Sequence, residues 1–307
     1  MSSSAQSAAD AREAAIPAGI ACILGGIFFL TISDSLAKWL GAYYSPIQLL
    51  FLRGLLALPV VSALVLMHGG RRALRTRYFG THLLRGAVNV GSACCFYLGL
   101  TMLPLAETTA IAFAAPLFVT ALSVIALGER VDTRAWAAVL IGFVGVLIVV
   151  RPGMSGFQPA ALLPLVTALG YAVMMVSARR IGAEESMLTT MFYIAFAQVI
   201  VSAAPQAWFW RPVQMEHAGG IAGIALFSTL GLGLITQGFR IAPASVVAPF
   251  DYTGLIWATL FGWLIWDELP DAWAYCGAAL IAGSGLYIAV RESWRRRARR
   301  RAKAAAG

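Results

Sequence analysis

The chain has 307 residues, 60% hydrophobic and 12% charged, and its 23 Lys and Arg against 14 Asp and Glu give a net charge of +9. That balance leaves too little polar surface for a water-soluble globule and no room for a separate soluble domain. It predicts an all-α integral membrane protein.

Residues 1–15 are small and polar with mixed charge (Asp10, Arg12, Glu13), and no small-x-small cleavage site follows the first apolar run. The segment therefore reads as a disordered cytoplasmic tail rather than a signal peptide. Ten apolar spans follow, at 16–39, 46–67, 82–103, 105–127, 134–150, 160–180, 187–207, 218–240, 244–266 and 272–290. Most have the roughly 20 residues needed to cross about 30 Å of hydrocarbon. Ten transmembrane helices are expected, in a first repeat over 16–153 and a second over 154–290, with a basic cytoplasmic tail at 291–307.

The repeat rests on two stretches, Pro104 to Asp132 and Pro243 to Asp271. Each opens on a Pro and has a Thr near its middle (Thr120, Thr259). Each ends at an acid in a short turn (Glu129, Glu268) with an Asp three residues on. Only four of 29 positions are identical, so the matching order of elements carries the argument. A duplicated unit of five spans must place its second copy upside down in a bilayer.

Charge sets the orientation. With a cytoplasmic N-terminus, 19 of the 23 Lys and Arg fall on inner segments, leaving Lys38, Arg151 and Arg211 outside and Arg53 within a span. Both termini are thus expected in the cytoplasm. Glu129 then lies inside, beside Arg130 and Arg134, whereas Asp267, Glu268 and Asp271 lie outside with no cation near them in sequence.

The tail holds eight cations and one acid. It reads as a stop-transfer cluster against anionic lipid, each cation contributing about 1 kcal/mol. Nucleic acid is not an expected partner, because the rest of the chain carries little net charge.

The three His (His68, His82, His217) have no metal spacing, and no phosphate-cradling Gly-Lys-Ser/Thr loop is present. No metal, cofactor or ATP-driven step is expected, which disfavours an enzyme. A non-transporting scaffold is the other alternative. The four cysteines (Cys22, Cys94, Cys95, Cys276) all fall within spans and read as packing residues.

Several residues together resemble the drug/metabolite transporter superfamily, EamA type. They are the run from Pro104 through Ala110, Gly128-Glu129-Arg130, Gly142 with Gly145, and Arg151-Pro152-Gly153. The second half echoes them in Pro243-Ala244-Ser245, Asp267-Glu268-Leu269, and Gly283 with Gly285. It departs from them with Asp267 at the place of Gly128 and Leu255 at the place of Pro116. The resemblance implies a secondary carrier working by alternating access in the bacterial inner membrane. Its cargo would be a small polar metabolite: an amino acid, a nucleoside, or a vitamin-like molecule such as riboflavin or S-adenosylmethionine.

Polar groups inside spans are costly in lipid and mark candidate sites. Asp34 and Lys38 lie one helical turn apart, Arg53 lies roughly 10 Å into its span, and Glu107 opens the fourth. The four are expected at similar depth, as a substrate site or a structural ion-pair network, with Lys38 snorkelling to the surface. Asp251, followed by Tyr252, is the candidate for proton coupling, against a permanent pair with Arg240 or Arg85. Asn89, Tyr97, Gln237, Tyr252 and Trp257 complete the substrate-binding set, whereas Gln198 reads as a packing hydrogen bond. Tyr43, Tyr44, Trp208, Trp210, Trp266 and Trp273 sit at span ends as interfacial anchors. Small residues at Ala138 with Gly142 and Ala279 with Gly283 predict that spans 5 and 10 form a scaffold or a homodimer face.

Overall fold

The computed structural model describes residues 16–70, 76–128, 133–152, 158–181, 187–242 and 244–305, with the side chains of 127, 178–181, 187, 188, 191, 244, 245, 248 and 292–305 outside the description. The N-terminal tail, Glu129, Arg130, Pro243 and the side chains of the basic tail lie outside the described residues. Thirteen helices follow in order: α1 (Ile16–Leu40), α2 (Pro46–Gly69), α3 (Phe79–Met102), α4 (Leu105–Ala112), α5 (Ala115–Leu127), α6 (Thr133–Val150), α7 (Leu162–Ile181), α8 (Met187–Ala203), α9 (Gln206–Phe209), α10 (Met215–Ile241), α11 (Ala244–Val247), α12 (Thr253–Trp266) and α13 (Ala272–Ala305). Among the described residues there is no strand.

Among the described residues eight helices, with α4 and α5 counted as one, are long and apolar enough to cross a membrane. The seventh expected span is the 17-residue α8. The ninth is divided into α11, a 3-10 turn at Ala248–Tyr252 and the 14-residue α12. The division has a local cause: Pro249 offers no N–H to the helical ladder. The fourth span breaks likewise at Phe113–Ala114, just ahead of Pro116 in the first turn of α5. In the alignment of the two halves Phe113 falls on Tyr252, and their rings meet at 5.0 Å.

The packing pairs obey an exchange rule. α1 packs on α10 as α7 packs on α3, α3 on α8 as α10 on α2, and α5 on α7 as α12 on α1. α2 with α8, and α6 with α13, are their own counterparts. Glycine permits the closest approaches: a Cβ on Gly231 would lie 2.8 Å from the Gly26 carbonyl oxygen, and one on Gly145 2.8 Å from that of Gly277.

α6 and α13 pack on each other along one face of each. Gly142 meets Ser284 and Leu117, and Gly145 meets Gly277, whereas Gly283 is exposed with open space around it. Helical geometry accounts for this, since Gly277 and Ser284 are seven residues apart on one face and Gly283 lies on another. The expected turn equivalence survives its sequence departure. Gly128 and Asp267 both close their helices in the left-handed conformation, at φ 64° and 55°, which Asp tolerates better than most residues.

Candidate functional site

α1, α2, α3 and α12 bring together most of the in-span polar residues. Tyr97 of α3 is buried, and its hydroxyl accepts from Arg53 Nη1 of α2 at 3.2 Å. Ser33 of α1 donates to the Ile224 carbonyl at 3.3 Å, and the Arg53 guanidinium attracts the Asp34 carboxylate. Asp34, Arg53 and Tyr97 are thus one electrostatic unit spanning three helices. About one and a half turns further along α1, Phe28 meets Trp257 edge-on at 5.0 Å and Phe261 at 5.9 Å. The indole N–H of Trp257 is buried with no hydrogen-bond partner.

The break in the ninth span holds Asp251, whose Oδ1 is buried without a partner. Among the described residues no ion pair joins it to Arg240 or Arg85. Arg240 instead donates to Gln237 Oε1 at 3.4 Å. Gln237 is exposed, and half-buried Asn89 has no side-chain hydrogen bond among the described residues. Gln198 donates to the Leu50 carbonyl at 3.0 Å, a packing bond between α8 and α2.

Lys38 does not snorkel. Its side chain is 7% exposed, and Nζ reaches both Glu268 oxygens at 2.8 and 2.9 Å and the Leu103 carbonyl at 2.7 Å. The ammonium also lies 5.3 Å from the Trp266 ring centroid. This point ties α1, the α3–α4 link and the end of α12 together. The acids after α12 lacked a nearby cation in sequence; folding supplies Lys38 to Glu268 and Arg151 to Asp271. Outside the spans, the hydrogen bond from Arg151 holds the Asp271 carboxyl below its usual range. That stabilisation is present above the ordinary carboxylate range and fades as pH falls through the lowered value. With the carboxylate half exposed it amounts to no more than about 1 kcal/mol.

The same end has a second clamp that sequence spacing did not reveal. Tyr44 is buried rather than interfacial, and its hydroxyl bonds to His217 Nδ1 at 2.9 Å and accepts from the Gln214 N–H at 3.0 Å. Gln48 pairs both ways with the Arg211 backbone at 2.6 and 3.0 Å. Tyr43, Trp208, Trp210 and Trp273 are exposed.

Glu107 stands apart from this unit. The charges acting on it are Asp271, Arg151, Glu268 and Lys38, with neither Asp34 nor Arg53 among them. The expected group of four charges is therefore two groups, because the first turn of α4 faces α12 and α13 rather than α2.

Residues 17–151 and 158–290 each match the EamA-like transporter family. The chain belongs to that family. This transporter is 28% identical over 281 residues to the S-adenosylmethionine uptake transporter of Rickettsia prowazekii, covering 89% of this chain and 93% of that one. It is 27% identical to the pseudopaline exporter CntI of Pseudomonas aeruginosa, covering 87% and 94%. It is 30% identical over 240 residues to the riboflavin transporter of Vibrio cholerae, covering 76% and 78%. A crystal structure 21% identical, with a TM-score of 0.59 over 90% of this chain and 98% of that one, shares the fold. The protein is a multi-pass bacterial inner-membrane transporter of a small molecule, not an enzyme.

Proposed function

We propose that the protein is a secondary carrier that moves a small polar organic metabolite by alternating access between two inverted five-span halves. The cargo would join a charged or zwitterionic group to a planar ring. Both halves of that description rest on one observation: the Asp34–Arg53–Tyr97 unit sits within two helical turns of the Phe28–Trp257–Phe261 cluster. The carboxylate and guanidinium would receive the charged group, and the unpartnered Trp257 N–H and its aromatic neighbours the ring. S-adenosylmethionine, named for one relative, falls in this class, whereas riboflavin, named for another, offers the planar ring and hydroxyl groups but no charge. Asn89, Gln237 and Tyr252 would add contacts on the side nearer Arg240.

The symmetric packing pairs and the aligned breaks in the fourth and ninth spans support the two-repeat reading, with the site at the interface of the halves. With the Lys38 end facing outward, as the charge bias favours, the Lys38–Glu268 pair acts as the outer gate. Asp251 would carry the coupling proton. A buried carboxylate oxygen without a donor is costly, and a proton is its simplest partner. The test is uptake from a pooled metabolite extract into proteoliposomes, with and without a proton gradient. Asp251→Asn should abolish gradient-driven accumulation while leaving counterflow exchange. Accumulation at the wild-type level in that variant would remove the coupling role.

A further inference from the structure

A lateral groove of about 500 Å³ lies between α4, α12 and α13, away from the central unit. Its volume lies within the roughly 300–1,000 Å³ typical of organic-ligand pockets. None of Asp34, Arg53, Tyr97 or Trp257 lines it. Ile256, Trp263 and Tyr275 on its walls are 65%, 48% and 47% exposed. On helices that cross the membrane such exposed apolar side chains face lipid, so the groove opens to the bilayer rather than to an aqueous path. From Trp263 to Leu255 on α12, and from Ala274 to Ala282 on α13, it runs about 12 Å along the helices at 1.5 Å per residue.

Its chemistry is lopsided. The walls are apolar, and the single ionisable carboxylate among the lining residues is Glu107. No hydrogen bond or ion pair joins that carboxylate to any described residue. The two cations that act on it are already taken, Lys38 by Glu268 and Arg151 by Asp271. Glu107 is left without a paired cation at the mouth of an apolar slot. An ionisable group at membrane depth needs a partner, and the geometry asks for an ammonium attached to a hydrocarbon chain.

We propose that this groove holds one phospholipid with a primary-ammonium headgroup, its ammonium on Glu107 and an acyl chain along α12 and α13. A lipid of the ethanolamine class fits: three N–H donors match the carboxylate, and the chain fills the apolar slot. Phosphatidylglycerol has no ammonium to offer, and a choline headgroup has no N–H to donate.

The experiment uses the full-length protein, purified and delipidated in detergent, with lipid retention read by native mass spectrometry and stability by thermal melting. Wild type should retain one equivalent of phosphatidylethanolamine in preference to phosphatidylglycerol or phosphatidylcholine, with a matching rise in Tm. Glu107→Gln should weaken that retention about ten-fold and leave phosphatidylglycerol unchanged, as expected for loss of one charge-assisted hydrogen bond. Ala278→Trp, which fills the slot without touching the carboxylate, should reduce retention of any diacyl lipid there. Equal retention of the three lipids by wild type would overturn the proposal, as would an unchanged preference in Glu107→Gln. So would slowed uptake by Glu107→Gln in ethanolamine-free liposomes, since Glu107 would then serve the transported solute instead.

Discussion

At the residue scale the informative groups are the charges and what each one touches. Asp34, Arg53 and Tyr97 were legible in the sequence because ionisable groups inside spans are rare and costly. The partner of Lys38 was not, since Glu268 is 230 residues away and only the fold brings the two together. An acidic turn with no cation beside it in sequence was the available signal that one must arrive from elsewhere. Removing one partner of a buried pair leaves the other uncompensated and costs about 3–5 kcal/mol. Lys38→Met should therefore lower the melting temperature clearly, whereas Arg151→Met, removing a half-exposed pair, should shift it little; melting curves of the two variants separate the cases. Asp267 tests the backbone. A β-branched residue in its left-handed conformation costs roughly 1–2 kcal/mol, so Asp267→Val should destabilise while Asp267→Gly is neutral or stabilising.

At the scale of helices, composition and span length gave the order of elements, and the prolines hinted at interruptions. The two breaks fall at aligned positions although their prolines do not: Pro116 follows its break, and Pro249 lies within its own. Register between helices was less legible, because small residues occupy several faces of α6 and α13 and spacing alone does not choose among them. The structure chooses Gly142, Gly145 and Gly277. Gly145→Leu and Gly277→Leu should force α6 and α13 apart and lower folded yield in detergent. Gly283→Leu should be tolerated, as judged by monodispersity in size-exclusion chromatography. Equal damage at all three positions would mean the α13 face has been misassigned.

At the scale of the whole molecule, the exchange of packing partners between halves describes a bundle built around one repeated plan, and the polar groups break that plan. The first half contributes Asp34, Arg53 and Tyr97, while the second contributes Asp251 and the indole of Trp257. In the proposed cycle a symmetric frame would allow two opposed openings, and an asymmetric lining would give one cargo its orientation. Fusing reporter domains to the C-terminus should place it in the cytoplasm, as the positive-inside bias requires. The most direct test of the account is solute loading by wild type and Asp34→Asn, reconstituted at equal protein and equal melting temperature, read by mass spectrometry of liposome contents after exposure to a metabolite pool. The account predicts that wild type loads at least one ring-bearing polar solute and that Asp34→Asn loses it by ten-fold or more, about the 1.4 kcal/mol of a single ionic contact. Loading of the same solutes at the wild-type rate by Asp34→Asn would contradict it.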